Sequence, residues 1–190
     1  ADVPPESVAT LIDAAIATGK RVYLLAGGRT GQLALAAARA WQQRPGRQGT
    51  LDGIVLLYPK LYARTPQGGE DAQFAAIAHA INLPVYLMQP ENSSGWWRIA
   101  EVAAALQTGG APVFVQKIPG VSDGFEVRDE TRPGEPEMTA RLPAMLQNAL
   151  HLLAAAIAPT PSGAAALAAS PGTPAGGMGT EVLRPVRGPL

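Results

Sequence analysis

Four largely apolar stretches of strand length punctuate the chain: Val22–Ala26, Leu51–Pro59, Leu83–Met88 and Pro112–Ile118. Continuous apolar runs of this length fit strands buried on both faces, as in a parallel sheet, better than half-exposed strands with alternating polarity. Between them, apolar residues recur at helical spacing. Ser7–Thr18 carries Val8, Leu11, Ile12, Ala15 and Ile16 on one face and is stopped by Gly19. Gln32–Trp41 is rich in alanine, which lets a helix lie close to a sheet. Glu70–Ile81, with Phe74, Ile77 and Ala78, and Trp96–Gln107 read as further helices. A last helix runs from about Met138 to Ala158 along a stripe of Leu142, Met145, Leu146, Ala149, Leu150 and Leu153.

Strands alternating with helices at this rhythm predict right-handed crossovers and an α/β architecture: a parallel sheet of about four strands with flanking helices. Three or four helices would cover one face and Met138–Ala158 most of the other. That arrangement leaves part of one face and the edge of Val22–Ala26 unprotected. From Pro159 onward the chain turns rich in Ala, Pro, Gly and Ser, a composition that buries too little apolar surface to offset the entropy of ordering. The expected organisation is one domain over 1–158 and a disordered or extended linker or tail over 159–190.

Composition narrows the function classes. The 190 residues hold 15 basic and 15 acidic side chains, so no long-range field points to nucleic acid or a charged membrane surface. No apolar run reaches the length of a membrane span. The absence of cysteine excludes disulfides, thiolate metal sites and a cysteine nucleophile. No His/Asp/Glu grouping has metal-ligand spacing, and neither a metal nor another cofactor is expected. The start at Ala1 and the unpaired look of Arg184–Leu190 suggest a processed chain or one excised from something longer, and with the Ala/Pro-rich tail fit a periplasmic or secreted bacterial protein, with a cytoplasmic one as the alternative.

The chemistry concentrates in Gly27-Gly28-Arg29-Thr30-Gly31, where an apolar strand meets a glycine-framed turn and then a helix. The layout is that of a Gly-x-Ser-x-Gly nucleophile elbow with arginine at its tip. Together with Leu83–Ser93 and the turn Ile118-Pro119-Gly120-Val121-Ser122-Asp123-Gly124-Phe125, it resembles the carboxyl-terminal half of the α/β-hydrolase superfamily over roughly Pro5 to Leu153. The resemblance implies an α/β-hydrolase-like sheet in which the nucleophile, acid and histidine slots fall at Arg29, Ser93 and Asp123. An arginine is always protonated, a serine cannot stabilise an imidazolium as a carboxylate does, and Asp123 is a poor base near neutral pH. The only histidines, His79 and His151, fall in expected helices away from the strand ends.

These slots point to a pseudo-hydrolase: a non-catalytic binding or assembly module, completed by a protein partner, a second copy or a missing segment. One alternative is an esterase- or peptidase-type hydrolase with displaced catalytic groups, Thr30 being a conceivable nucleophile though without a nearby activating base. Another is a small-anion-binding domain using the amides and helix terminus of Gly27, Gly28, Arg29, Thr30 and Gly31. Against that stands a structural contact between Arg29 and Asp123. Trp96 and Trp97 could anchor a partner, although a core role for at least one is the plainer expectation. The charged run Glu126–Glu137 reads as a solvated loop.

Overall fold

Each apolar stretch becomes a strand of one parallel sheet in the computed structural model, which describes residues 3–67, 69–129 and 131–157. In chain order the elements are α1 (Pro5–Ile16), β1 (Val22–Gly27), α2 (Thr30–Gln43), β2 (Leu51–Leu57), a 3-10 turn at Ala76–His79, β3 (Val85–Pro90), a 3-10 turn at Trp96–Arg98, α3 (Ile99–Gln107), β4 (Val113–Ile118) and α4 (Glu135–Ile157). The strands lie side by side in sequence order, every neighbouring pair parallel. A chain that always steps to the same side by right-handed crossovers stacks its crossover helices on one face. That is where α1, α2 and α3 sit, and α4 returns over the other face after β4.

Alternation along each strand divides the interior into two apolar layers. Ile54, Leu56, Val85, Leu87 and Val113 face α1, α2 and α3. Val55, Leu57, Tyr86, Met88 and Ile118 face α4, where Ala149 and Leu153 are wholly buried. The alanines of α2 do what their size permits: Ala34, Ala37 and Ala38 are buried against the sheet. Trp41 ends that buried face and donates from Nε1 to Asp13 Oδ1 at 2.7 Å, while Arg44 Nη1 reaches the other oxygen of Asp13 at 2.5 Å, so α2 is laced to α1.

Gly53 sets where α4 lies. The register slips between Val22, paired with Leu51, and Tyr23, paired with Gly53. A Cβ at Gly53 would stand 3.0 Å from Pro84 O and 3.2 Å from Leu153 Cδ1, so the missing side chain is the room Leu153 occupies. Seated there, α4 packs on β2 and β3. Among the described residues β1 has no strand neighbour on its outer side, and Leu25, on the α4 side of the sheet, is 60% exposed. The unprotected edge expected from the sequence is present.

One expected element is not a helix. Over Glu70–Ile81 only the turn Ala76–His79 is helical; Tyr62 and Phe74 form an isolated antiparallel bridge, their rings stacked at 5.3 Å. Ala63 N donates to Gln73 O at 2.7 Å and Ala75 N to Leu61 O at 2.8 Å, so these backbone groups are satisfied across the crossover rather than along a helix. The expected tail, 159–190, lies outside the described residues. No described helix is long and apolar enough to cross a membrane.

Candidate functional site

The carboxyl ends of the four strands converge on one surface, the place where open α/β sheets put their sites. The Gly27–Gly31 turn is built as its sequence suggests. Gly28 takes φ +54°, a conformation that glycine adopts without a Cβ penalty. Its N–H donates to Leu57 O at 3.0 Å and its carbonyl accepts from Lys60 N at 2.9 Å, binding the turn to the segment after β2. Gly31 packs against Pro59, where a Cβ would approach to 3.2 Å.

At the tip, Arg29 forms the N-cap of α2, and its side chain is exposed. Among the described residues it enters no ion pair. Thr30 Oγ1 donates to Gly27 O at 2.8 Å, so its proton is engaged with the backbone and no base sits behind it. Ser93 is buried and accepts from Gly95 N at 3.1 Å, a bond that shapes the turn after β3. Asp123 faces the same surface, but its partner is not Arg29. Lys60 Nζ donates to Asp123 Oδ2 at 2.6 Å, and Gln89 Nε2 reaches Oδ1 at 3.5 Å. The expected Arg29–Asp123 contact is therefore replaced by Lys60–Asp123. The reason is topological: β2 lies between β1 and β3, so a cation just beyond β2 meets the loop after β4 before one beyond β1 can.

Tyr58 fills the space between the turn and that loop. It is the one non-glycine residue with positive φ among the described residues, at +41°, a conformation that costs an L-residue roughly 1 to 2 kcal/mol and persists only where its surroundings impose it. Its ring covers the glycines: Cβ atoms built at Gly27 and Gly28 would lie 3.5 Å from its hydroxyl and 3.4 Å from Cε2. The hydroxyl donates to Glu126 Oε1, while Glu126 Oε2 is buried with no partner. Burial first, then the bond to Glu126 and the negative charges of Glu126 and Asp123, push the Tyr58 phenol far above its ordinary range. It is a fixed donor and not a base. Among the described residues the surface thus offers a locked ion pair, a capped tyrosine and an unpaired guanidinium, and no nucleophile hydrogen-bonded to a base.

The remaining candidates are dispersed. His79 Nδ1 lies 3.0 Å from Thr108 Oγ1 in the turn before β3, and His151 is exposed on α4. Neither Trp96 nor Trp97 is in the core: Trp97 is 87% exposed, and Trp96 is half-buried with Lys117 Nζ 5.6 Å from its ring centroid. The run Glu126–Glu137 is not wholly solvated either. Glu135 is 1% exposed, held by Arg128 Nη1 at 3.1 Å and by Arg132 N at 2.8 Å, which fastens the loop to the start of α4. Among the described residues no group of three or more His, Asp or Glu could hold a metal ion. Tyr58, Lys60, Gln89 and Glu126 were not singled out from the sequence. The signal for the first two was their place immediately after a buried strand, at the end where such sheets carry their sites.

No family model and no curated protein sequence matches the chain. Among solved structures it is similar to Thermogutta terrifontis esterase 2 phosphoramylated by tabun and to the same esterase phosphorylated by paraoxon. In each case identity is 17%, the TM-score is 0.40 and 68% of this chain is covered. The chain spans about half the length of that esterase, 56% and 55% in the two structures.

Proposed function

We propose that this chain is a non-catalytic, α/β-hydrolase-like binding or assembly module whose sheet is completed along β1 by a protein partner, a second copy or a missing segment. The observation that carries the reading is the state of β1: an edge strand of six uncharged residues with Leu25 60% exposed beside it. Gly28 N–H points into the sheet, so strand alternation turns the N–H groups of Tyr23, Leu25 and Gly27 toward the open side. Unpaired edge groups beside exposed apolar surface are a template for another strand. The occupants of the catalytic slots support the non-catalytic half of the reading: an arginine that enters no ion pair among the described residues, a serine bonded to its own turn and an aspartate held by Lys60.

Hydrogen exchange of the isolated chain tests the assembly reading. The amides of Tyr23, Leu25 and Gly27 are expected to exchange orders of magnitude faster than those of Val85–Met88. Equal protection in a monomer would mean that the edge is already covered, and the reading would fall. The non-catalytic half is tested with short p-nitrophenyl esters, where turnover abolished by Thr30→Ala or Ser93→Ala would overturn it.

A further inference from the structure

At the amino ends of the strands, across the sheet from Gly27–Gly31, the end of α1 and the connection from α2 to β2 enclose a cleft of about 500 Å³. Its walls include Asp13, Ile16 and Gly19 on one side and Arg44, Arg47 and Gln48 on the other. That is the size of a small-molecule site. Between Asp13 and Asp52 the sequence has no acidic residue, and Lys20, Arg21, Arg44 and Arg47 all fall at this end of the sheet. Asp52 pairs with Arg21 and Asp13 with Arg44, which leaves the charges of Lys20 and Arg47 in excess.

Most polar groups of the cleft are already engaged. Asp13 Oδ1 accepts from Trp41 Nε1 at 2.7 Å and Oδ2 from Arg44 Nη1 at 2.5 Å, while Arg44 Nη2 donates to Glu6 O and Thr10 Oγ1. The carbonyls of Ala15 and Ile16, at the negative end of α1, accept from Thr18 N and Gly19 N. Arg47 differs. Its guanidinium carbon lies 5.4 Å from the centroid of the Trp41 ring, and among the described residues it enters no ion pair and donates no hydrogen bond. A cation–π contact takes up none of the five N–H donors, and it steadies a side chain whose rotamer freedom would otherwise be lost on binding. The backbone amides of Gly46, Arg47, Gln48 and Gly49 likewise donate to no described group. A Cβ at Gly49 would collide with Ile16 Cγ2, so the missing side chain is what lets this backbone form the wall of the cleft.

We propose that the cleft binds a phosphate-bearing small molecule, with the phosphate held by the Arg47 guanidinium and the amides of residues 46–49 and the body of the ligand resting on Ile16. Three acceptor oxygens and nearly two charges let a phosphate monoester engage the guanidinium fork and an amide together. The two oxygens of a carboxylate are taken up by the fork alone.

The test is an NMR titration of the full chain at low salt with phenyl phosphate, inorganic phosphate and benzoate. Phenyl phosphate should shift the amides of residues 46–49 and the Trp41 indole N–H, and should bind at least about tenfold more tightly than benzoate, which carries a carboxylate on the same ring. Arg47→Met keeps an aliphatic stem over Trp41 and removes every donor. It should weaken phenyl phosphate at least about tenfold, as loss of a charged hydrogen bond does, with the remaining amide shifts unchanged. No response up to about 10 mM phenyl phosphate, or an affinity that Arg47→Met leaves intact, would overturn the site. Shifts confined to residues 27–31 would overturn it too, placing the anion at the other end of the sheet. Benzoate binding as tightly as phenyl phosphate would overturn the phosphate assignment, and inorganic phosphate doing so would overturn the role given to the ligand body.

Discussion

β4 and β1 each have a single neighbour in the sheet, yet they are finished differently. β4 is bracketed by Pro112 and Pro119, and it carries Lys117, whose exposed ammonium pairs with Glu91 Oε1 at 3.0 Å. Proline and lysine are among the usual means of keeping a solvent-facing edge from recruiting strands. β1 has none of these: Val22-Tyr23-Leu24-Leu25-Ala26-Gly27 contains neither proline nor charge. The difference teaches that the two edges are built differently against strand addition. One is guarded against added strands, and the other, among the described residues, carries no such guard.

The largest expected effect breaks the guarded side from behind. Gly109 turns α3 toward β4 so close to Ile81 that a Cβ would lie 2.1 Å from its carbonyl oxygen. Gly109→Ala should lower the unfolding free energy in urea by about 3 kcal/mol, as overpacking against backbone does. A change under about 0.5 kcal/mol, the size of an ordinary surface substitution, would contradict this packing.

Stripping the guard comes next. Lys117→Leu removes the charge from β4 and should make apparent mass rise with concentration in sedimentation, at little cost to folding. A strictly monomeric variant would show that Lys117 does not keep this edge apart. The converse graft, Leu25→Lys, should reduce binding of an apolar dye by the chain while shifting stability by no more than about 0.5 kcal/mol. If dye binding is unchanged, the exposed surface lies elsewhere.

The smallest effect is a titration. The Lys117 hydrogen bond, the Gly120 amide and the Lys117 charge hold the Glu91 carboxyl below its ordinary value. A folded pKa below the unfolded one contributes stability that is present above the ordinary carboxylate range and lost as pH falls through the folded value. Lys117→Ala should move the Glu91 midpoint upward in an NMR titration. An unmoved midpoint would remove that pair from the account of β4.

The strands were legible because burial on both faces leaves an uninterrupted apolar signal, and the elbow-like turn because glycines mark it. The crossover between β2 and β3 was not. Phe74, Ile77 and Ala78 have helical spacing, but Phe74 meets Tyr62 across a bridge, a pairing that no local pattern encodes. Asp123 was rightly placed at the strand ends and given the wrong cation, because choosing between Arg29 and Lys60 requires knowing that β2 lies between β1 and β3. Glu135 read as solvated since its neighbours in sequence are charged. Its burial follows from Arg128 folding back on it.

The seat of α4 on the sheet turns on a single absent methyl group. Leu153 drops into the hollow that Gly53 leaves in β2, and this notch fixes α4 laterally as a peg fixes a board. A Cβ at position 53 would stand 3.2 Å from Leu153 Cδ1 and 3.0 Å from Pro84 O, so the helix could keep its seat only by giving way slightly. Through that one residue, the interior of the sheet sets where its covering helix comes to rest.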